Sequence, residues 1–184
     1  MHGTPYCIVG NTDDFPGAIA GDVDIIIPQE KIKTLHSLML DFCKANHFKL
    51  VQCLQHENNA FYYVIQWWEN NLPTFLKLDI CGNFYRKAKL FLLADELLSN
   101  TQEAKDEQGY GKGFLVPNPA TEFIYYLLKK IDKGNLNNEQ ALHLHTQWLK
   151  DPTGCLSNIR RFWNDEDSAL IQQAAENNDW IQVN

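Results

Sequence analysis

Two aspartates separated by one residue open a segment that otherwise has the composition of a buried strand. Asp22-Val23-Asp24 is followed by Ile25-Ile26-Ile27, and the segment ends at Pro28. β-Branched residues favour strands, and proline cannot continue a central strand. Successive side chains of a strand point to opposite faces, so Asp22 and Asp24 share one face. Since neighbouring carboxylates repel unless a cation or hydrogen bonds offset the cost, this strand is expected to lie at a metal or ligand site.

A third aspartate has a similar setting. Asp79 lies in Phe75–Cys81, a run whose apolar residues alternate to form one face: Leu76, Leu78 and Ile80. Asp79 lies on the opposite face, together with Lys77. If this strand lies beside the one that begins at Asp22, three carboxylates converge, and such oxygen ligands suit magnesium or manganese. The alternative is an ordinary turn and strand with an incidental acid pair, which would leave Asp79 distant from Asp24.

The first half of the chain predicts a mixed sheet with helices on it. Apolar residues recur every three or four positions from Gln29 to Asn46, the period of an amphipathic helix. Short polar connections join the later apolar runs, which implies that those strands are antiparallel neighbours. The predicted strands cover residues 6–9, 22–27, 48–54, 61–68 and 75–81.

The second half predicts a small helical unit. The sequence becomes polar and glycine-rich from Thr101 to Gly113, which indicates a boundary, and Gly109–Gly113 lacks the spacing of a phosphate loop. Asn118-Pro119 then supplies a capping residue and a first-turn proline for a helix. Further helical patterns cover residues 139–149, 155–163 and 167–176. We therefore predict a core at residues 1–112 and a C-terminal helical unit at residues 113–184.

Charge and composition limit the classes of partner. The net charge of −7 argues against a protein that binds nucleic acid through its overall field, so nucleic acid is not expected as a partner. The cysteines number five, form no C-x-x-C pair, and lie mostly in apolar runs, which indicates reduced core residues. No apolar stretch is long enough to span a bilayer, and residues 1–5 lack the regions of a signal peptide. We therefore predict a cytoplasmic protein without membrane insertion.

The order of these motifs resembles the nucleotidyltransferase superfamily that includes the DNA polymerase β-like fold. In that family a glycine and a small polar residue end the first strand, an acid pair starts the second, and a third acid lies on a later strand. The matching residues are Gly10-Asn11, Asp22-Val23-Asp24 and Asp79. Asn11 stands where the family usually has serine. The resemblance implies an α+β fold with a nucleotidyltransferase-type mixed sheet and flanking helices, followed here by the small helical unit.

A closer resemblance covers nearly the whole chain. The chain is similar to uncharacterised nucleotidyltransferase-like proteins of bacterial surface-polysaccharide gene clusters in these segments: Val9-Gly10, Phe15-Pro16, Gly21–Ile27, Leu76–Asp79, Gly113–Pro117 and Glu122–Lys130. It implies an enzyme that moves a nucleotidyl group from a nucleoside triphosphate to a small acceptor of unknown identity. It also implies a role for this enzyme in polysaccharide biosynthesis. Asp22 and Asp24 would bind two Mg2+ or Mn2+ ions, and Asp79 would complete one ion's shell and favour deprotonation of the attacking hydroxyl. Gly10 and Asn11 would lie against the phosphates.

Two lysines and one histidine are weaker candidates. Lys77 shares a strand face with Asp79, where it could pair with that acid or with a phosphate. Lys130 lies at the edge of the apolar stripe of its helix, although cations near a helix C-terminus are favoured by the helix dipole without any ligand. His56 lies in a polar stretch beside Glu57 and could reach the cleft, but an exposed histidine is the more common case.

A second function remains open at this point. A non-catalytic nucleotide-binding or partner-binding module with the same fold is compatible with Asn11 in place of serine and with the short segment before the first strand. The presence of all three acids favours the enzyme, since a decayed site would be expected to lose at least one.

Overall fold

The computed structural model describes residues 3–106, 108–131, 136–181 and 183. It divides into two compact units, Met1–Val116 and Pro117–Asn184. The predicted fold class is confirmed: the chain is α+β, with a mixed sheet and helices in the first unit and a set of packed helices in the second.

The central sheet has five strands in the order β1-β2-β5-β4-β3. β2 and β5 are parallel, whereas the other neighbouring strands are antiparallel. The antiparallel arrangement of the last three strands follows from their short connections, as predicted. The strands are β1 (Cys7–Val9), β2 (Asp22–Ile26), β3 (Lys49–Glu57), β4 (Ala60–Glu69) and β5 (Leu72–Cys81).

One face of this sheet is covered by a helix. The chain leaves β2 through a 3-10 helix, Gln29–Thr34, and continues as α1, Leu35–Ala45. The sequence predicted one helix from Gln29, but short 3-10 turns are common where a helix begins. α1 buries the residues Leu35, Met39 and Cys43 against the apolar face of the sheet. The aspartates of β2 and β5 alternate with the buried residues, so they lie on the other face.

The connection between β3 and β4 is shorter than predicted. Residues 55–59 were expected to form a loop, but β3 continues to Glu57 and β4 begins at Ala60. The pairing register shifts between Gln55 and Glu57, which identifies a β-bulge at His56. A bulge adds one residue to a strand and changes the direction of its side chains. His56 is therefore a strand residue at the edge of the sheet.

Several elements of the first unit have no counterpart in the prediction. β8 and β9 occupy most of the stretch expected to be a linker, and the boundary expected after residue 112 falls inside β9. The turn between β6 and β7 has positive φ at Lys87 (49°) and Ala88 (62°). Neither residue type is typical of such a turn, so this hairpin has little signal in the sequence. The elements are β6 (Phe84–Arg86), β7 (Lys89–Leu92), α2 (Ala94–Ser99), β8 (Thr101–Lys105) and β9 (Gly111–Pro117).

The second unit consists of helices with side-chain caps. Thr121 donates its backbone N–H to the Asn118 side chain at 2.8 Å. Asn137 and Gln140 form a reciprocal capping box, and Asn164 caps the last helix. Each cap satisfies backbone donors that a helix start leaves unpaired. The helices are α3 (Pro119–Ile131), α4 (Asn138–Lys150), α5 (Pro152–Ile159) and α6 (Asp165–Asn177). Three of them agree with the predicted patterns, whereas α5 begins and ends earlier than the predicted residues 155–163, because Asp151 caps it and Pro152 opens its first turn.

The cysteines are free thiols, in agreement with the predicted reduced state. Cys7, Cys43 and Cys155 are buried, whereas Cys53 is exposed. Burial raises the pKa of the Cys155 thiol to about 12, and the nearby Asp151 carboxylate adds to the increase. Within the part of the chain that the structure describes, no helix combines the length and hydrophobicity needed to cross a membrane.

Candidate functional site

The structure brings Asp22, Asp24 and Asp79 together on the face of the sheet opposite α1. In the parallel register of β2 and β5, Asp24 is the partner of Asp79, and Asp22 is the partner of Lys77. One carboxylate oxygen from each aspartate lies within 4.8 Å of those of the other two. Asp22 is exposed, and the other two are half-buried. The alternative of an incidental acid pair distant from Asp79 is therefore wrong in its geometry.

The three carboxylates could hold a divalent cation. Mg2+ binds oxygens at about 2.1 Å in an octahedron, which places pairs of ligand oxygens about 3 to 4 Å apart. The observed limit of 4.8 Å is slightly wider, and small rotations of half-exposed carboxylates would close the difference. Oxygen-only ligands favour magnesium or manganese over softer metals. The donor set therefore fits the predicted ion.

His56 joins this cluster. Its Nε2 lies 2.9 Å from Oδ1 of Asp79, and the two side chains are 37% and 27% exposed. The bulge in β3 is what places the imidazole there. A histidine that bonds a metal-binding carboxylate fixes the orientation of that carboxylate. From the sequence, solvent exposure was the more common case for His56, because residues 55–59 have the composition of a loop. The turn consists only of Asn58 and Asn59, so His56 remains on the strand.

The loop after β1 begins beside the carboxylates. Val9 is the register partner of Asp24, and Gly10 follows it with a φ of 92°, a conformation that favours glycine. The side-chain oxygen of Asn11 accepts a hydrogen bond from the backbone N–H of Asp13 at 3.1 Å. Asn11 thus shapes the loop through an Asx turn, in addition to any role toward a ligand.

Lys112 stabilises the same loop. Its Nζ donates to the backbone carbonyl of Thr12 at 3.1 Å and to that of Asp13 at 2.5 Å. Lys112 lies in β9, within the polar, glycine-rich segment that was predicted to be a boundary. A lysine that bridges two carbonyls brings positive charge to a loop beside three acids. Its isolated position among glycines gave no periodic signal by which to identify it.

The two predicted phosphate lysines have different settings. Lys77 is exposed and lies opposite Asp22 in the register of the sheet, on the face of the carboxylates. Lys130 belongs to the second unit, where its Nζ lies 5.2 Å from the ring centroid of Tyr126. That distance is typical of a cation–π contact. The structure therefore groups Lys77 with the aspartates and gives Lys130 an aromatic partner within its own helix.

A second histidine–carboxylate pair lies in the helical unit. His143 Nε2 is 3.2 Å from Glu122 Oε1, and each side chain is only 6% exposed. The His143 ring also lies against Tyr126, with a centroid distance of 4.4 Å. His145, on the same helix, instead contacts the backbone carbonyl of Ala175 at 2.7 Å.

Comparison with known proteins gives weak likenesses. Neither a protein-family profile nor a curated protein matches this sequence. The crystal structure of JHP933 from Helicobacter pylori shares 16% identity and a TM-score of 0.41, covering 98% of this chain and 87% of that one. Another H. pylori structure, described as a putative nucleotidyltransferase, shares 16% identity and a TM-score of 0.31, covering 96% of this chain and 87% of that one. Such values carry no inference about activity.

Proposed function

We propose that this protein is a metal-dependent nucleotidyltransferase. The observation that supports the proposal is the convergence of Asp22, Asp24 and Asp79, with one oxygen from each within 4.8 Å of the others. Three acids so close repel one another, and a bound divalent cation would offset that repulsion. Asp22, Asp24 and Asp79 would hold the divalent metal, which would supply positive charge that neutralises a triphosphate and polarises the phosphorus under attack.

The reaction would be an in-line displacement at the α-phosphorus of a nucleoside triphosphate. The hydroxyl oxygen of the acceptor bonds to that phosphorus while the bond from phosphorus to the bridging β-phosphate oxygen breaks. Pyrophosphate leaves with the electron pair, and the hydroxyl proton passes to Asp79 and then to solvent. Asp79 suits this step because it is half-buried and its orientation is fixed by His56.

Other residues of the first unit would bind and position the triphosphate. The Gly10 turn starts beside Asp24, and the absence of a side chain there permits close approach to a phosphate. Lys112 holds the loop and lowers its local negative potential. Lys77 would pair with a phosphate oxygen on the same face of the sheet. Asn11 is a further candidate for the phosphates on the grounds of the sequence resemblance. Lys130 of the second unit is a candidate through its place at the edge of the apolar stripe of its helix.

The proposal assigns catalysis to the first unit and places the protein in the cytoplasm. It also places the protein in polysaccharide biosynthesis, as the sequence resemblance implies. Mg2+ is the proposed ion, with Mn2+ as the substitute that carboxylate sites also accept.

Calorimetry with ATP and the other common nucleoside triphosphates tests the proposal. We expect binding with magnesium and no comparable binding in EDTA, since an acidic site repels a bare polyphosphate. Asp24→Asn should abolish the increase in triphosphate affinity that magnesium produces. Asp41 is an exposed acid on α1, and Asp41→Asn should leave that increase unchanged. Equal affinity with magnesium and with EDTA for every triphosphate would refute the metal-dependent mechanism.

A further inference from the structure

A polar cleft lies at the end of the sheet, between the β3–β4 turn and the β6–β7 hairpin. It has a volume of about 630 Å³, within the range of small-molecule sites. One wall is the β3–β4 turn with Glu57, Asn58 and Asn59, and the other is the β6–β7 hairpin with Tyr85 and Lys87; Gln29 lies between them. Side chains with amide, carboxylate, phenol and ammonium groups thus surround one space.

Asn83 connects two residues that line the cleft, and we call Asn83 and its neighbour Gly82 the floor. Its backbone N–H donates to Gln29 Oε1 at 2.8 Å, and its carbonyl accepts from the Asn59 side-chain amide. Its own side-chain oxygen accepts from the backbone N–H of Ala94 at 2.9 Å, at the start of α2. Hydrogen-bonded networks of this kind fix both walls before any ligand arrives, which lowers the entropic cost of binding.

Gly82 shows how tightly the floor is packed. A Cβ added at Gly82 would lie 2.3 Å from Gln29 Oε1, so a side chain there would displace the amide that supports Asn83. The opposite wall holds two residues, Lys87 and Ala88, with positive φ. Non-glycine residues adopt that conformation at an energetic cost, which surrounding structure must offset.

The strand register relates one wall of the cleft to the carboxylates. At the bulge in β3, two adjacent residues have different contacts. His56 bonds Asp79, and Glu57 lines the cleft. Glu57 is opposite Ala60, whose partner on β5 is Cys81, two residues after Asp79. Two residues of a strand span about 7 Å and two strand spacings add about 10 Å across the sheet, so the backbones of Glu57 and Asp79 lie roughly 12 Å apart. The side chains of both residues shorten that gap, and a molecule that spans the remainder could place one group at Asp79 while the rest contacts the walls.

We propose that this cleft binds the acceptor, and that the acceptor is a small molecule with several hydroxyl groups. This inference rests on the proposed nucleotidyl transfer, because the attacking hydroxyl would be the one nearest Asp79. The amides of Gln29 and Asn58 can each donate and accept, as hydroxyl groups do, and Glu57 can accept from two neighbouring hydroxyls. The Tyr85 ring offers an apolar surface for carbon-bound hydrogens. The bond changes are those given for the displacement at the α-phosphorus.

NMR of the full chain tests the ligand class without knowledge of the natural acceptor. The probes are myo-inositol and glucose at tens of millimolar, with dioxane as a ring of similar size that has no hydroxyl group. We expect a saturable shift of the side-chain amide signals of Gln29, Asn58 and Asn59 with a hydroxylated probe, and none with dioxane. The exposed Gln102 amide on β8 should not respond. Absence of saturable shifts at the cleft, or equal shifts with dioxane, would overturn the proposal.

Variants then separate the cleft from the metal site. Asn58→Leu and Tyr85→Ala should each weaken binding of the hydroxylated probe about fivefold, the change expected from a lost hydrogen bond or ring contact. Gln102→Leu is the matched control and should bind normally. Affinity for ATP with magnesium should stay within about twofold in all three, because the proposal assigns the triphosphate to the aspartates, the Gly10 turn and Lys77 and not to the cleft. Loss of nucleotide affinity in both cleft variants would assign the cleft to the nucleotide and overturn the proposal.

The two proposals fail in different ways. Probe binding in the cleft together with no magnesium-dependent nucleotide binding would refute the transferase and with it the acceptor role. Nucleotide binding without a cleft response would leave the transferase intact and refute the polyhydroxylated acceptor.

Discussion

The two units each contain a histidine bonded to a carboxylate, in opposite environments. His56 and Asp79 are 2.9 Å apart and about a third exposed, whereas His143 and Glu122 are 3.2 Å apart and almost fully buried. The first pair adjoins two more aspartates. The second pair lies between α3 and α4 with the ring of Tyr126 against it. The same two functional groups therefore serve different purposes.

The difference follows from whether solvent, cations and substrate can reach each pair. A half-exposed carboxylate beside other acids can bind a cation or accept a proton from a substrate. A buried carboxylate cannot reach solvent, so its contact with histidine mainly avoids an unpaired charge between helices. Removing a partner should thus reduce activity in the first unit and stability in the second.

The largest effect is expected for Asp79→Asn. Loss of one of three ligands and of the proposed proton acceptor should lower magnesium-dependent pyrophosphate release by at least about 100-fold. The free energy of unfolding in EDTA should not fall, because the change removes charge repulsion. Pyrophosphate release with each common triphosphate and urea unfolding measure the two quantities. Full activity in this variant would remove Asp79 from the mechanism.

The second effect belongs to the buried pair. His143→Ala leaves Glu122 buried without the imidazole and deletes the ring beside Tyr126. We expect the free energy of unfolding to fall by about 3 kcal/mol. Urea denaturation measures it, with His145→Ala as the half-buried comparison on the same helix. A loss below that of His145→Ala would show that the buried pair contributes nothing to the fold.

A smaller effect is expected for His56→Ala. Residues that orient a metal ligand typically change activity or metal affinity by 10-fold or more when removed, so we expect about a 10-fold fall in turnover. Stability should change by less than about 1 kcal/mol because the pair is partly exposed. His56→Asn, which retains a hydrogen-bond donor, should restore part of the activity. The opposite pattern, with stability lost and activity kept, would make this pair equivalent to the one in the helical unit.

The sequence predicted Asp79 because an acid in an alternating strand stands out, but strand order is a long-range property that periodicity does not encode. The adjacency of β2 and β5 came from the family pattern. His56 was set aside because an asparagine-rich stretch is typical of a loop, and a bulge has no reliable sequence signal. Asn83 and the Lys87-Ala88 turn were missed because their contacts form only when distant segments meet.

The smallest effect concerns Asp24, and it compares charge removal in the two units. Asp24→Asn keeps the shape of the side chain and removes one of three clustered charges. Its melting temperature in EDTA should equal or slightly exceed that of the wild type, and the rise with magnesium and ATP should disappear. Glu122→Gln should instead lower the melting temperature in both conditions, because the charged partner of His143 is lost.

Thermal melts of the wild type and both variants, each in EDTA and with magnesium plus ATP, distinguish these cases. If Asp24 served only as a structural hydrogen-bond acceptor, Asp24→Asn would resemble Glu122→Gln, with a loss of about 0.5 to 2 kcal/mol in either condition. A metal ligand behaves in the opposite way, since the empty site is strained by repulsion that bound ligand relieves. If Asp24→Asn lowered the melting temperature in EDTA and kept the rise in melting temperature with magnesium and ATP, Asp24 would be excluded from the metal site.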